Sequence, residues 1–125
     1  MTAYYGSIDR SPAGQSKSIN CIAGSGGVTK GKAVKYDGTT ARTVVACSAA
    51  ADIAIGIANN TAAEGAQVQV FISGSIVETA YTLTVGARVG LDGSGDIVDY
   101  SADTSIGVCV TAGTTSSDVL INIGY

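Results

Sequence analysis

One pattern occurs twice along this chain, and it limits the folds open to the chain more than any other feature. Residues 28–39 (VTKGKAVKYDGT) align with residues 83–94 (LTVGARVGLDGS) at an offset of 55 positions. Two later segments match in the same order at an offset of 51, namely 55–58 with 106–109 and 68–72 with 119–123. Ordered matches of this kind indicate an internal duplication. We therefore expect two small units, each of which covers the apolar face of the other.

Both copies have the composition of short β-strands joined by tight turns. The chain has 17 glycines and one proline, and its apolar residues include only six Tyr and one Phe. Asp37-Gly38 and Asp92-Gly93 are strong turn signals, because glycine adopts a positive φ and aspartate tolerates one. No segment keeps a helical apolar period. The predicted strands lie near residues 28–36, 40–47, 53–58, 66–72, 75–79, 83–91, 96–100, 105–110 and 118–124.

These features predict an all-β fold, a small β-barrel or a two-sheet sandwich built from the duplication, with an extended N-terminal arm. The arm is predicted over residues 1–27, which hold the single proline, a Gly-Ser-Gly-Gly run and little apolar alternation. Residues 28–125 are predicted as one duplicated β-domain, with repeats at about 28–72 and 83–123. Because the arm carries several apolar side chains, it would gain most by lying on another subunit.

Charge is distributed unevenly along the chain. Residues 1–42 carry six of the seven Lys and Arg against two Asp, whereas residues 43–125 carry one Arg against eight acidic residues. Two interpretations are open: the asymmetry has no functional consequence, as in many short β-proteins, or one end meets an acidic partner while the other remains solvated. Lys30 and Lys32 are expected to share one strand face and Lys35 to lie on the other. These lysines are interpreted first as a solvated strand edge and alternatively as a contact with an acidic protein surface, and no nucleic-acid partner is expected.

The residue types offer little for catalysis. Without histidine, the Ser-His and Cys-His nucleophile arrangements are excluded, and the commonest transition-metal ligand is missing. Cys21, Cys47 and Cys109 form no C-x-x-C pair, and the latter two lie in apolar runs typical of buried thiols. The acidic residues at the Asp-Gly turns are explained by backbone geometry. We therefore expect no enzyme activity, no metal and no cofactor.

Membrane association is not expected either. The first residues lack the basic start and apolar core of a secretory signal. No apolar stretch approaches the roughly 18–20 residues that a membrane-spanning helix needs.

The order of the motifs resembles the capsid cement, or decoration, proteins of tailed bacteriophages. The motifs are V-T-x-G-x-x-V-x-x-D-G from Val28, D-I-A-I-G-I-A from Asp52 and G-A-Q-V-Q-V-F-I-S-G from Gly65, followed by L-T-V-G-A-R-V-G-L-D-G from Leu83 and S-I-G-V-C from Ser105. The resemblance covers about residues 20–125. It implies a small all-β, non-enzymatic protein that binds the outer surface of an icosahedral head at junctions of major capsid subunits and stabilises the shell.

The resemblance also implies partners and a location. The partner is the major capsid protein, and self-association is expected, with a trimer favoured and a dimer as the alternative. The protein would be made in the host cytoplasm and end on the outer capsid surface of the virion. In such a protein an N-terminal arm extends over neighbouring subunits. The candidate capsid contacts are residues of the arm and the two lysines that follow it: Tyr4, Tyr5, Ile8, Arg10, Lys17, Lys30 and Lys32.

The alternative interpretation is a tail- or fibre-associated module that binds a host glycan. Such a site needs exposed aromatic platforms. The candidates are Tyr36, Phe71, Tyr81 and Tyr100.

Overall fold

The computed structural model describes residues 17–99 and 105–123. These residues contain ten short strands and no helix. The strands are β1 (Ser18–Ala23), β2 (Ala33–Tyr36), β3 (Thr43–Ala46), β4 (Gly56–Ala58), β5 (Gln67–Phe71), β6 (Ile76–Glu78), β7 (Arg88–Leu91), β8 (Ile97–Asp99), β9 (Gly107–Thr111) and β10 (Asp118–Ile121).

The first five strands form a closed barrel and the last five an open sheet. Around the barrel the order is β1-β3-β2-β4-β5, with β5 pairing back to β1. The order in the sheet is β6-β10-β9-β7-β8. When β6 to β10 are matched in order to β1 to β5, the sheet keeps every strand pairing of the barrel except one. The missing pairing is the equivalent of the parallel pairing between β1 and β3. The all-β prediction is confirmed, and the duplication is visible in the topology.

Matching backbone hydrogen bonds recur in the two copies. The amide of Gly31 donates to the carbonyl oxygen of Ala58 at 2.9 Å, and the amide of Gly86 donates to that of Cys109 at 2.8 Å. Each residue in the second bond is the repeat equivalent of one in the first. The bonds from Ile55 to Val34 (2.9 Å) and from Ile106 to Val89 (2.8 Å) are related in the same way.

The core has two parts, and the larger one holds the two halves together. The smaller lies within the barrel half and contains Cys21, Ala23, Val28, Val34, Val44, Ala58, Ala62, Val68 and Val70. The larger joins the inner face of the open sheet to Ala33, Cys47, Ala54, Ile57 and Phe71 of the barrel half. The sheet therefore completes its apolar burial against the barrel. This agrees with the expectation that each copy covers the other.

Strand β1 lies within residues 1–27, which the sequence predicts as an arm. Cys21 and Ala23 are 2% and 1% exposed, and the strand pairs with both β5 and β3. The alternation of buried and exposed residues was missed because cysteine and alanine are weak apolar signals. The barrel thus begins at Ser18, and any arm is confined to residues before it. Residues 1–16 lie outside the described part of the chain.

The predicted strand over residues 28–36 is also shorter than expected. Gly31 has a φ of +84°, which places it in the left-handed region and turns the chain before β2 begins at Ala33. Lys30 and Lys32 therefore lie in a turn. The prediction that they share a strand face is wrong.

Candidate functional site

The predicted basic contacts do not converge in the described structure. Lys17 lies at the end of the barrel where β5 finishes, and its carbonyl oxygen accepts from the amide of Ile72 at 2.9 Å. Lys30 lies near the start of β5, where its amide donates to Thr61 Oγ1 at 3.1 Å. The two positions are therefore separated along the length of β5. Lys32 shares the turn of Lys30. Tyr4, Tyr5, Ile8 and Arg10 lie outside the described residues.

An apolar groove lies at the Lys17 end of the barrel. It has a volume of about 440 Å³. Its lining side chains are Ile19, Tyr36, Ile53, Ala54, Ile55, Ile72, Ser73 and Ile123, and we call it the isoleucine groove. Ile53 is 64% exposed and Tyr36 is 50% exposed. Such a cluster of large apolar side chains at the surface is typical of an interaction site.

The first residue described is anchored beside this groove. The amide of Lys17 donates to Ser75 Oγ at 2.7 Å, and the same hydroxyl donates back to the carbonyl oxygen of Lys17 at 2.9 Å. Two residues later, Ile19 lines the groove. Lys17 is therefore held at the rim of the isoleucine groove.

One wall of the groove is fixed by an ion pair. Lys35 Nζ lies 2.9 Å from Asp52 Oδ1, and the other carboxylate oxygen accepts from the amides of Ser48 and Ala49 at 2.7 and 2.9 Å. Mainly because of the Ser48 amide, the pKa of Asp52 is lowered. These bonds hold the 48–52 connector and place Ile53, the next residue, at the surface.

The aspartates of the two Asp-Gly turns, Asp37 and Asp92, have backbone partners. Asp37 Oδ1 accepts from the amides of Thr39 and Thr40 at 2.9 and 3.0 Å. At the equivalent turn, Asp92 Oδ1 accepts from the amides of Ser94 and Asp96 at 2.8 and 3.0 Å. These aspartates shape the turns, as the sequence predicted.

The three cysteines are buried free thiols. Burial raises the pKa of Cys47 to about 12, and it also raises the pKa of Cys21 and of Cys109. A thiol with a raised pKa is a poor nucleophile at neutral pH. The prediction of buried thiols at Cys47 and Cys109 is confirmed.

The aromatic side chains do not form a platform in residues 17–99 and 105–123. Phe71 is 3% exposed. Tyr81 is half-buried, and its hydroxyl donates to Asp96 Oδ1 at 3.0 Å. Tyr36 stands at the groove, and Tyr100 lies outside the described residues. No group of three or more potential metal ligands occurs in the described residues. Those residues also include no helix able to span a membrane.

The missed signal was the alternation Ile53-Ala54-Ile55, which lies in the strand predicted over residues 53–58 but precedes β4, which begins at Gly56. Only Ala54 is buried, at 1% exposure, while its two neighbours line the groove. The other isoleucines come from separate segments, at positions 19, 72 and 123. Their convergence depends on the topology, so no local pattern could have predicted it.

Three comparisons bear on what this molecule is. The family model for phage cement proteins matches residues 13–123. The head fibre gp8.5 N base of bacteriophage phi29 has a similar fold, with a TM-score of 0.64 and 15% sequence identity, over 86% of this chain and 95% of that chain. At this identity, the similarity concerns the fold. The search of curated proteins found no match.

The barrel and the open sheet packed on it define a small all-β module with an exposed groove. The chain belongs to the phage cement protein family, whose model covers most of its length. It is therefore a structural, virion-associated protein of a bacteriophage, and the family implies association with the capsid.

Proposed function

We propose that this protein decorates the outer surface of an icosahedral phage head, where it binds at junctions of the major capsid protein and stabilises the shell. The match to the cement family over residues 13–123 is the observation that carries this proposal. In this role the protein acts by binding and has no enzymatic activity. It is made in the host cytoplasm and associates with itself on the head, with a trimer favoured over a dimer.

The contact with the capsid is made by the N-terminal segment and Lys17. Two lines of support favour this surface. Lys17 is exposed and its backbone is anchored to Ser75 and Ile72, so it presents the preceding residues at a fixed point. Sixteen residues, fully extended, reach about 50 Å, so the segment can contact surfaces well beyond the barrel.

The side chains proposed for this contact are those of Tyr4, Tyr5, Ile8 and Arg10, together with Lys17. The aromatic and arginine side chains are the types enriched at binding hot spots. Lys30 and Lys32 lie towards the other end of β5, and we propose them as a second contact with the capsid, separate from this surface.

Binding to purified, expanded phage heads tests the proposal. We expect the full-length chain to co-sediment with heads, and a variant lacking residues 1–14 to bind at least tenfold more weakly with an unchanged melting temperature. Deleting residues 1–20 serves as the matched control, since it also removes the start of β1 and should lower the melting temperature. Head binding that is unaffected by the shorter deletion would contradict the arm contact. No binding by the folded full-length chain would contradict the function.

A further inference from the structure

The outer face of the open sheet carries an apolar row. Leu120 in β10 lies opposite Ile76 in β6 and opposite Val108 in β9. Val110 follows on the same face of β9, since side chains two apart share a face. Leu120 and Val110 are 37% and 42% exposed, and Ile76 and Val108 are half-buried. We call these four residues the outer row.

The fold itself does not require this row to be apolar. In the barrel, the pair equivalent to Ile76 and Leu120 is Asn20 and Gln69, which also lie opposite each other. Gln69 is held in a polar network there: its Oε1 accepts from Asn59 Nδ2 at 2.6 Å and its Nε2 donates to Ser18 Oγ at 2.9 Å. Two strands of the same duplication thus present a polar face in one copy and an apolar face in the other.

The outer row and the isoleucine groove lie mainly in different halves of the molecule. The groove is lined chiefly by the barrel half, and the outer row belongs wholly to the open sheet. One surface is concave and the other is the face of a sheet. A chain with two distinct apolar surfaces can bury both by joining its copies head to tail.

The charges of the two halves are complementary. Residues 17–72 carry five Lys and Arg against three Asp and Glu, a net charge of +2. Residues 73–99 and 105–123 carry one Arg against five Asp and Glu, a net charge of −4. Locally, Asp118 and Glu78 lie opposite each other on the face of the outer row. Lys17 adjoins the groove, and Arg42 lies beside Tyr36 in the neighbouring depression.

We propose that the outer row of one copy docks into the isoleucine groove of the next copy. This heterologous contact repeats from copy to copy and closes into a ring when the rotation between copies allows it. Carboxylates beside the row then meet the cations beside the groove, which favours this orientation over groove-to-groove contact. The inference rests on the self-association included in the proposed function, and it specifies the two surfaces that meet.

Mixing two complementary variants tests the head-to-tail contact. Ile53→Asp disables the groove and leaves the row intact, whereas Leu120→Asp disables the row and leaves the groove intact. By size-exclusion chromatography with light scattering, we expect the wild type to be oligomeric and each single variant to be monomeric. The equimolar mixture should form a heterodimer, because one intact groove and one intact row remain. The double variant should stay monomeric under all conditions.

Controls separate loss of assembly from loss of fold. Ala63→Asp places the same charge in an exposed loop outside both surfaces and should leave the oligomer unchanged. Ile53→Ser and Leu120→Ser provide milder variants if either aspartate lowers the melting temperature.

A monomeric wild type, or a mixture that remains monomeric over the full concentration range, would overturn the inference. Head binding is assayed separately. Heads that bind a monomeric wild type would leave the proposed capsid association standing while rejecting the contact between copies.

Discussion

The first copy of the repeat closes into a barrel and the second stays open, although their strands pair in the same order. Val68 and Val119 occupy equivalent repeat positions, and they lie opposite Cys21 and Val77 respectively. Cys21 and Val77 are therefore equivalent. Three residues after them, Gly24 in the first copy is equivalent to Ala80 in the second. The two copies differ at the point where the barrel closes.

Gly24 allows β1 to approach β3. Its amide donates to the carbonyl oxygen of Val44 at 2.7 Å, within the parallel pairing that closes the barrel. A Cβ at this position would lie 2.8 Å from Val45 Cγ1 and 3.0 Å from Thr43 Cγ2, closer than ordinary van der Waals contact. Closure of the first copy thus depends on the absence of a side chain.

Ala80 follows a different path in the second copy. Its amide donates to the carbonyl oxygen of Gly31, in the barrel half, at 3.1 Å. The next residue, Tyr81, packs against the larger core cluster and donates to Asp96, immediately before β8. The strand that could have closed the sheet instead ties the two halves together. The comparison teaches that one duplicated strand order gives two architectures because the segment after the first strand of each copy makes different contacts, with β3 in the first copy and with Gly31 in the second.

The largest effect is expected from Gly56→Val and Gly107→Val. These variants test the close approach of a strand glycine to the neighbouring backbone, which both copies share. A Cβ on Gly56 would collide with the carbonyl oxygen of Phe71, and one on Gly107 with that of Leu120. Since neither backbone can move without breaking a strand pairing, each variant should lose about 3 kcal/mol or more of unfolding free energy. Denaturant titration measures this loss. Gly93→Ala is the control, because no atom lies within 4 Å of its added Cβ. Equal stability of all three variants would reject the close approaches.

The next largest effect is expected from Gly24→Ala, which tests the β1–β3 pairing that only the first copy has. The variant should lose about 1–3 kcal/mol, and the amides of Ile22 and Gly24, which bond to Arg42 and Val44, should exchange their hydrogens faster. The reciprocal variant Ala80→Gly should cost less than about 1 kcal/mol and leave the sheet open. Unchanged exchange at Ile22 in Gly24→Ala would show that the glycine does not control closure.

A smaller effect is expected from Tyr81→Phe. Burial, together with the hydrogen bond to Asp96, raises the pKa of Tyr81, so its hydroxyl is protonated and donates at neutral pH. Its removal should cost about 1 kcal/mol, measured by thermal unfolding. Tyr36→Phe, at an exposed position, should leave the melting temperature unchanged. A similar loss in both variants would mean that the bond to Asp96 contributes nothing specific.

The smallest effect is a dependence of stability on acid pH. Backbone amides lower the pKa of Asp37, through Thr40 and Thr39, and that of Asp99, through Thr84. A carboxyl group whose pKa is lower in the folded state than in the unfolded state stabilises the fold at any pH above its unfolded-state pKa. This stabilisation is lost as the pH falls towards the folded-state pKa. The melting temperature should stay level down to about pH 5 and decline below about pH 4. Asp37→Asn and Asp99→Asn should each flatten the decline, and an unchanged decline of the melting temperature at acid pH in both variants would contradict the role of these hydrogen bonds.

The sequence was sufficient for the repeat, the all-β class and the Asp-Gly turns, because each leaves a local pattern. It was insufficient where the structure depends on contacts between segments. Strand β1 was missed because its buried residues include Cys21 and Ala23. The turn at Gly31 separates Lys30 from the predicted strand face. The groove assembles isoleucines from distant segments, and the consequence of a glycine at position 24 depends on where β3 passes.

Counting the copies bound to purified, expanded heads tests the cement role most directly. Heads saturated with the full-length chain should hold a copy number set by the repeated positions of an icosahedral shell, measured by quantitative mass spectrometry against the major capsid protein. They should also resist heat-induced rupture better than undecorated heads. Saturation at only a few copies per particle, or no binding to heads by the folded protein, would contradict the account.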